Sequence, residues 1–410
     1  MSEQFSNLID IDKTWANLLR DQDFEKPTSF TDSNCFFDES QNLFDNSSIQ
    51  PFSNSLNIRL DDIFDKSFNN IGSQSFNAFT FNHNVKNHHR QINTCTIGNI
   101  LPYACEIISM SKDPNYTQKL EDFLKTATYG QLSTIWRSIE DHFYSLSTHK
   151  CACRFIQSLI KADSSLVKAS IKKLTGHQIF HLIMCQNGNH VMQLIVNSLN
   201  FDDIYFIYEE LLLMVDLLVL ASKDQCASRV LEIALKKLFS TCKISLSSNE
   251  TERIKAISLA DRFLKTLSMF SKSLMKDKYG NFIVKVLVIN ACPELMKAQK
   301  PYYNVVCKNL IAYSMDQFGS RVVEHILDYA HPNVVQHIYD KFVCHLNNDK
   351  DLVKKFMEHG IGNYVLQKIL TVGEGMIFGN KNSLIIKEMK KVGHIINKFS
   401  NTGNLSKWIS

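Results

Sequence analysis

A chain of 410 residues is long enough for two or three ordinary domains or for one long solenoid with a tail, and an apolar fraction of 44% supplies a sizeable buried core. No run of about 18 uninterrupted apolar residues is present, so no membrane-spanning helix is expected. The net charge of +4 hides a division: residues 1–95 carry 7 Lys+Arg against 13 Asp+Glu, net −6, and residues 96–410 carry 38 against 28, net +10.

The acidic part comes first. Residues 1–95 contain 14 Asn, 12 Ser and 12 Phe with few periodic aliphatic residues, so they read as a disordered tail. Its start, Met1-Ser2-Glu3-Gln4, lacks the basic-then-apolar pattern of a secretory signal, which leads us to expect a cytoplasmic protein. Phe36, Phe37, Phe76, Phe79 and Phe81 read either as stickers for condensates or as short docking motifs, and composition identifies no partner. The 11 cysteines are scattered, with only Cys151 and Cys153 close together, so a disulfide framework is not expected.

From about residue 96 to 410 the pattern is helical, interrupted after Pro114 only by Pro293, Pro301 and Pro332. This second domain is expected to be all-α, and its stretch Leu211 to Ala221 reads as a buried helix. Its mildly basic charge suits a polyanionic partner. Six segments in it repeat one pattern, a small residue or Asn, a planar side chain, two apolar residues and a polar one. They are Cys153-Arg154-Phe155-Ile156-Gln157, Asn189-His190-Val191-Met192-Gln193, Ser228-Arg229-Val230-Leu231-Glu232, Asn281-Phe282-Ile283-Val284-Lys285, Ser320-Arg321-Val322-Val323-Glu324 and Asn363-Tyr364-Val365-Leu366-Gln367. Their first residues are 36, 39, 53, 39 and 43 positions apart, the spacing of a helical repeat with one long insertion near Cys242 to Arg253. A degenerate seventh unit is read at Asn115-Tyr116-Thr117-Gln118-Lys119.

Short polar turns such as Gln186-Asn187-Gly188 precede the motifs and place them in the first turn of a helix. There the first and fifth residues share one face with the second beside them, and the third and fourth point to the core. Each unit should thus present three polar or planar groups to solvent, and stacking should line them up.

The segments resemble PUF repeats: Gln-Asn-Gly-Asn-His-Val-Met-Gln, Tyr-Gly-Asn-Phe-Ile-Val-Lys, Phe-Gly-Ser-Arg-Val-Val-Glu and Gly-Asn-Tyr-Val-Leu-Gln match the helix signature of the Pumilio/FBF family. The resemblance covers about residues 100–410, and the inserted middle stretch is similar to that of nematode FBF-like members. It implies a right-handed α-solenoid, a crescent of eight repeats with a C-terminal cap, whose concave face binds one RNA strand, one base per repeat. The implied function is binding of UGU-containing elements in 3′ untranslated regions, with repression of translation or of message stability. The implied partners are single-stranded RNA and protein co-regulators such as deadenylase machinery, the chain itself acting as a monomer without a membrane. A lengthened connection at Cys344 to Lys350 is the expected place for a protein partner.

The chemistry of the triplets agrees with this. A reader of single-stranded RNA needs two hydrogen-bonding groups per base edge and a flat or cationic side chain to stack on. Asn with Gln can donate and accept, which suits uracil; Glu accepts from guanine N1–H and N2–H₂; Cys or Ser with Gln suits adenine. In the antiparallel direction that the resemblance implies, Asn363, Tyr364 and Gln367 select U, and Ser320, Arg321 and Glu324 select G. Asn281 and Phe282 continue with U, although Lys285 cannot accept the uracil N3–H. Ser228, Arg229 and Glu232 read G or A, Asn189, His190 and Gln193 read U, and Cys153, Arg154 and Gln157 read A.

No catalytic motif of the P-loop, zincin or nucleophile-elbow kind occurs, so neither an enzyme nor a cofactor is expected. His149 with Cys151 and Cys153 lacks a second ligand pair, and His83, His88, His89 and Cys95 read as tail residues, so no metal site is expected either. The competing reading is an α-solenoid scaffold for proteins, or a ribosome-biogenesis RNA binder with little base choice.

Overall fold

The computed structural model describes residues 104–243, 250–289, 292–375 and 382–391. The expected tail over residues 1–95 and the expected start of the second domain at residue 96 lie outside the described residues. Every regular element among the described residues is an α-helix or a short 3-10 turn.

One unit illustrates the rest. Thr175 and Gln178 form a capping box, with Gln178 N donating to Thr175 Oγ1 at 3.3 Å and Thr175 N donating to Gln178 Oε1 at 3.0 Å. They start the helix Gly176–Met184, which ends at Cys185 in extended backbone. The chain turns, and helices Gly188–Ser198 and Phe201–Leu213 follow. Gly188 sits where the second helix meets the first: a Cβ there would lie 2.7 Å from the Leu182 carbonyl oxygen. Gly280 meets Leu274 O at 2.8 Å in the same way. A side-chain-free residue allows that approach.

The helices that carry the motifs are Ala152–Ala162, Gly188–Ser198, Ala227–Cys242, Gly280–Leu287, Gly319–Tyr329 and Gly362–Gly375, and each packs on the next in chain order. Helix Pro114–Leu124 adds one more at the N-terminal end. A second layer stacks alongside, Phe201–Leu213 on Glu250–Ser268, then Met296–Lys308, then Pro332–Asn348. The result is an α-solenoid held by neighbour-to-neighbour interfaces. One continuous apolar cluster runs through it from Ile107 to Met389. Buried tyrosines tie the units together: Tyr208 donates to Ala234 O at 2.9 Å and Tyr302 to Leu264 O at 2.8 Å, so neither hydroxyl is desolvated without a partner. At the rim, Arg262 pairs with Glu209 at 2.7 Å and Lys255 with Asp202 at 3.0 Å.

Three local expectations are corrected. Leu211 to Ala221 is not one buried helix: it breaks at Met214 (φ −116°, ψ 70°) between two helices, and Leu213 and Leu220 are exposed. Pro301 does not interrupt; it lies inside Met296–Lys308, where burial of Tyr302, Tyr303 and Val306 outweighs the missing N–H bond. Of the insertion near Cys242 to Arg253, Cys242 ends its motif helix and Glu250 opens the helix Glu250–Ser268, while residues 244–249 lie outside the described residues. Cys344 to Asn348 is the last turn of Pro332–Asn348 and not an added loop, with Asp349 as C-cap and its carboxylate 2.6 Å from Lys355 Nζ.

Candidate nucleic-acid interface

In all six units the first motif residue is the second residue of its helix. In all but the Asn189 unit, the turn before it is fixed by the side chain four positions earlier. Asp224, Asp277 and Asp316 accept backbone N–H bonds at 2.7–3.0 Å from the residues that open the helix. His149 and His359 do so through Nδ1. His149 is therefore occupied with capping Cys151 and Ala152, and among the described residues no group of three or more metal-ligating side chains comes together.

The burial pattern repeats: first residue buried, second outward, third and fourth buried, fifth half-exposed. Cys153, Asn189, Ser228, Asn281, Ser320 and Asn363 are all at most 4% exposed, so the expectation that each unit presents three groups to solvent is corrected to two. The first side chain faces inward because its own backbone claims it. Asn189 Nδ2 donates to Cys185 O at 2.8 Å and to Gln186 O at 2.7 Å, and Asn363 Nδ2 to His359 O at 2.9 Å and Gly360 O at 3.1 Å. The fifth residue then rests on the first: Gln193 Nε2 donates to Asn189 Oδ1 at 2.9 Å and Gln367 Nε2 to Asn363 Oδ1 at 3.2 Å. What remains for a ligand is the carboxamide oxygen of each Gln and one N–H.

The other units vary this scheme. Asn281 Nδ2 makes the same two backbone bonds, but Lys285 replaces Gln, and Asn281 Oδ1 is buried without a hydrogen-bond partner. Burial holds the Lys285 ammonium below its ordinary range, although Glu232 and Glu324 act in its favour. Glu232 pairs with Lys236 at 2.7 Å. Burial pushes the Glu324 carboxyl above the usual carboxylate range, against the pull of Lys368 and Arg321. In the first unit, Cys153 Sγ donates to Lys150 O at 3.5 Å, and burial raises its thiol. Gln157 is half-exposed beside it.

The second residues form the outer edge of the row. Arg154, His190, Arg229, Arg321 and Tyr364 are exposed and Phe282 is half-exposed. The cation of Lys285 stands 4.5 Å from the centroid of the Phe282 ring. Arg321 lies 6.0 Å from that of Phe318.

The upstream unit exists in a different register from the one expected. Asn115 is exposed, whereas Thr117 is buried. Thr117 N and Oγ1 bond to Asp113 O at 2.9 and 2.8 Å, the i−4 backbone bond made by every first motif residue. Ser111, six positions before Thr117, is buried like Ser147, Ser222 and Ser314, which stand six before Cys153, Ser228 and Ser320. The unit is therefore Thr117, Gln118 and Glu121, 36 residues before Cys153. Lys119 at its third place and Gln118 at its second hid it from a pattern of apolar and planar residues. Arg154 reaches back to it, with Nη2 3.3 Å from Glu121 Oε2 and 3.5 Å from Gln118 Oε1.

Comparison with known proteins agrees with this architecture. The family model of the Pumilio-family RNA binding repeat matches residues 142–169, 178–212, 309–342 and 355–376, which hold the Cys153, Asn189, Ser320 and Asn363 units. The chain is 25% identical over 301 residues to Fem-3 mRNA-binding factor 2 of Caenorhabditis elegans, covering 72% of this chain and 45% of that protein. It is 24% identical over 252 residues to Fem-3 mRNA-binding factor 1 of the same organism, covering 60% and 40%. The chain thus spans less than half the length of these relatives. Among solved structures, PUF-6 in complex with 5BE13 RNA superposes with a TM-score of 0.60 at 17% identity, over 79% of this chain and 90% of that one. The RNA-binding domain of yeast Puf5p bound to SMX2 RNA gives 0.58 at 18% identity, over 77% and 87%. With its repeated motif helices, its family-model matches and these neighbours, the chain carries Pumilio-family repeats and is built as an α-solenoid like the solved PUF domains.

Proposed function

We propose that the chain binds single-stranded RNA sequence-specifically, along the row of fifth and second motif residues, and represses the messages it binds. The observation that carries this is the row itself: on consecutive stacked helices, an exposed planar or cationic side chain stands beside a half-exposed polar one. That is a stacking surface next to a base-edge reader, repeated once per unit. The preferred element is of the UGU type, with U read at Asn363, Tyr364 and Gln367, G at Ser320, Arg321 and Glu324, and a pyrimidine at Asn281, Phe282 and Lys285. The further bases fall to Ser228, Arg229 and Glu232, then to Asn189, His190 and Gln193, and then to Cys153, Arg154 and Gln157.

The printed names of the relatives support messenger RNA as the ligand, and the Puf4 RNA-binding domain, a fold neighbour, was solved on a 3′ UTR recognition sequence. In this reading the chain acts as a cytoplasmic monomer without catalysis of its own, and protein co-regulators such as deadenylase machinery carry out repression. Selection of bound sequences from a random RNA pool by the full chain tests it. Enrichment of a U-G-pyrimidine core is the expected result; retention of RNA without base preference would favour a scaffold or a structured-RNA binder instead.

A further inference from the structure

The Asn281 unit departs from the other two Asn units at its fifth residue, Lys in place of Gln, and the difference changes what a base would meet. In the Asn189 and Asn363 units, Gln spends one N–H on the Asn Oδ1 and keeps an acceptor oxygen and one donor facing outward. In the Asn281 unit, Lys285 turns over the Phe282 ring at 4.5 Å, and Asn281 Oδ1 stays buried with no hydrogen-bond partner. Asn281 is 0% exposed, so its oxygen is closed to a ligand. The face that remains is an ammonium, which has three donors and no acceptor.

Base edges respond differently to a donor-only reader. Uracil sets its N3–H between O2 and O4, so a donor aimed at the edge confronts another donor. Guanine has N1–H and N2–H₂ side by side. Adenine offers a single acceptor, N1, with an amine next to it. On the Watson–Crick edge, cytosine alone has two adjacent acceptors, N3 and O2, with no hydrogen between them.

We infer that the Asn281 unit reads cytosine in preference to uracil, with Lys285 Nζ donating to N3 and O2 while Phe282 stacks on the ring. This rests on the RNA reading proposed above and narrows its third base. The half-exposed Phe282 supplies the flat partner, and the lysine stem beside it holds the cation within reach of the base edge.

The test uses the full chain and four RNAs that begin U-G and differ only at the third base, with a scrambled RNA as control, at one salt concentration. The expected result is tightest binding of the cytosine RNA, by about tenfold over uracil, the scale of one well-placed hydrogen bond to a charged group. Lys285→Gln restores an acceptor and a partner for Asn281 Oδ1, so this variant should prefer uracil and melt no lower than the parent. A parent that prefers uracil, adenine or guanine, or shows no preference, overturns the inference while leaving RNA reading intact. So does a Lys285→Gln variant with the parent's ranking. If no RNA of the set outcompetes the scrambled one, base reading itself fails, and the cytosine assignment falls with it.

Discussion

Gln193 donates from Nε2 to Asn189 Oδ1 at 2.9 Å, and this bond separates the work of the two side chains. Asn189 is 2% exposed and fastens the helix start through two backbone carbonyls, whereas Gln193, half-exposed, carries the groups a ligand can reach. The Asn363 and Gln367 pair repeats the arrangement.

Mutating the two members of that last pair should give different phenotypes. Gln367→Ala is expected to leave the fold intact and to weaken discrimination at the 5′ uracil by roughly 1–3 kcal/mol. Asn363→Ala removes the side-chain donor to Gly360 O and leaves His359 O with the backbone N–H of residue 363 alone, and should lower unfolding free energy by about 1 kcal/mol or more. Denaturant titration and RNA titration on both variants separate the effects; equal stability losses would remove the division of roles.

Lys285→Gln should stabilise the fold, because Asn281 Oδ1 gains a donor and a half-buried ammonium is removed. The gain should be on the order of 1 kcal/mol near neutral pH. The sign with pH follows from burial, which lowers the folded pKa of Lys285 beneath its unfolded value, so the folded parent binds fewer protons. The parent's stability from this group therefore rises as pH rises through the lowered pKa. The gap between variant and parent should narrow at alkaline pH, and a widening gap in thermal melts would refute this account.

Arg154 is predicted to matter for ligand and little for stability. Its contact with Glu121 at 3.3 Å leaves 62% of the Arg154 side chain exposed against 13% for Glu121, so the arginine end is solvated and its share in stability should be about 1 kcal/mol or less. Glu121→Ala should shift melting little and leave Arg154 available to stack, strengthening binding of RNAs long enough to reach the Cys153 unit. Unchanged affinity for both long and short RNAs would mean the Arg154 contact does not compete with RNA.

The repeat was legible because a buried apolar pair at the third and fourth places recurs at near-constant spacing in six helices, and long-range packing cannot rearrange such a period. Spacing also located each motif at its helix start. Three things were hidden. Inward rotation of the first residue depends on carbonyls of the preceding turn, such as Cys185 O and Gln186 O, which a sequence pattern does not show. The Thr117 unit has Lys119 where an apolar residue was sought, yet Asp113 four positions earlier, like Asp224, Asp277 and Asp316, was a usable signal. The Cys344 to Asn348 segment reads as a lengthened connection because polar composition masks an added helical turn whose packing is supplied by neighbours.

Removal of residues 1–90 should leave RNA affinity nearly unchanged. That segment carries more Asp+Glu than Lys+Arg and offers phosphate no attraction. A large loss in a binding titration would assign part of the reading surface to it.

The Ser320 unit offers the most direct test of base choice. Ser320 is buried and Glu324 is half-exposed one turn later, so in the proposed reading the carboxylate meets the base and the serine supports it. A carboxylate accepts from guanine N1–H and N2–H₂ and repels the carbonyl oxygens of uracil. Ser320→Asn with Glu324→Gln rebuilds the bridged pair seen at Asn189 and Gln193, and Arg321→Tyr adds the stacking residue found at Tyr364. Preference at this base should move from G to U, inverting by roughly 1–3 kcal/mol. Burial gives the unmodified protein a second signature. Because the Glu324 pKa is raised, its carboxylate protonates at a higher pH than an ordinary one, and one acceptor becomes a donor. The preference for G should therefore weaken as pH falls through that raised value, whereas the triple variant has no titrating reader and should hold its preference for U. Two RNAs that differ at this base, measured against both proteins at one salt concentration, cancel the phosphate attraction. A folded triple variant that still prefers G, or a parent whose preference does not change with pH, would show that base choice at this unit is carried by some other side chain.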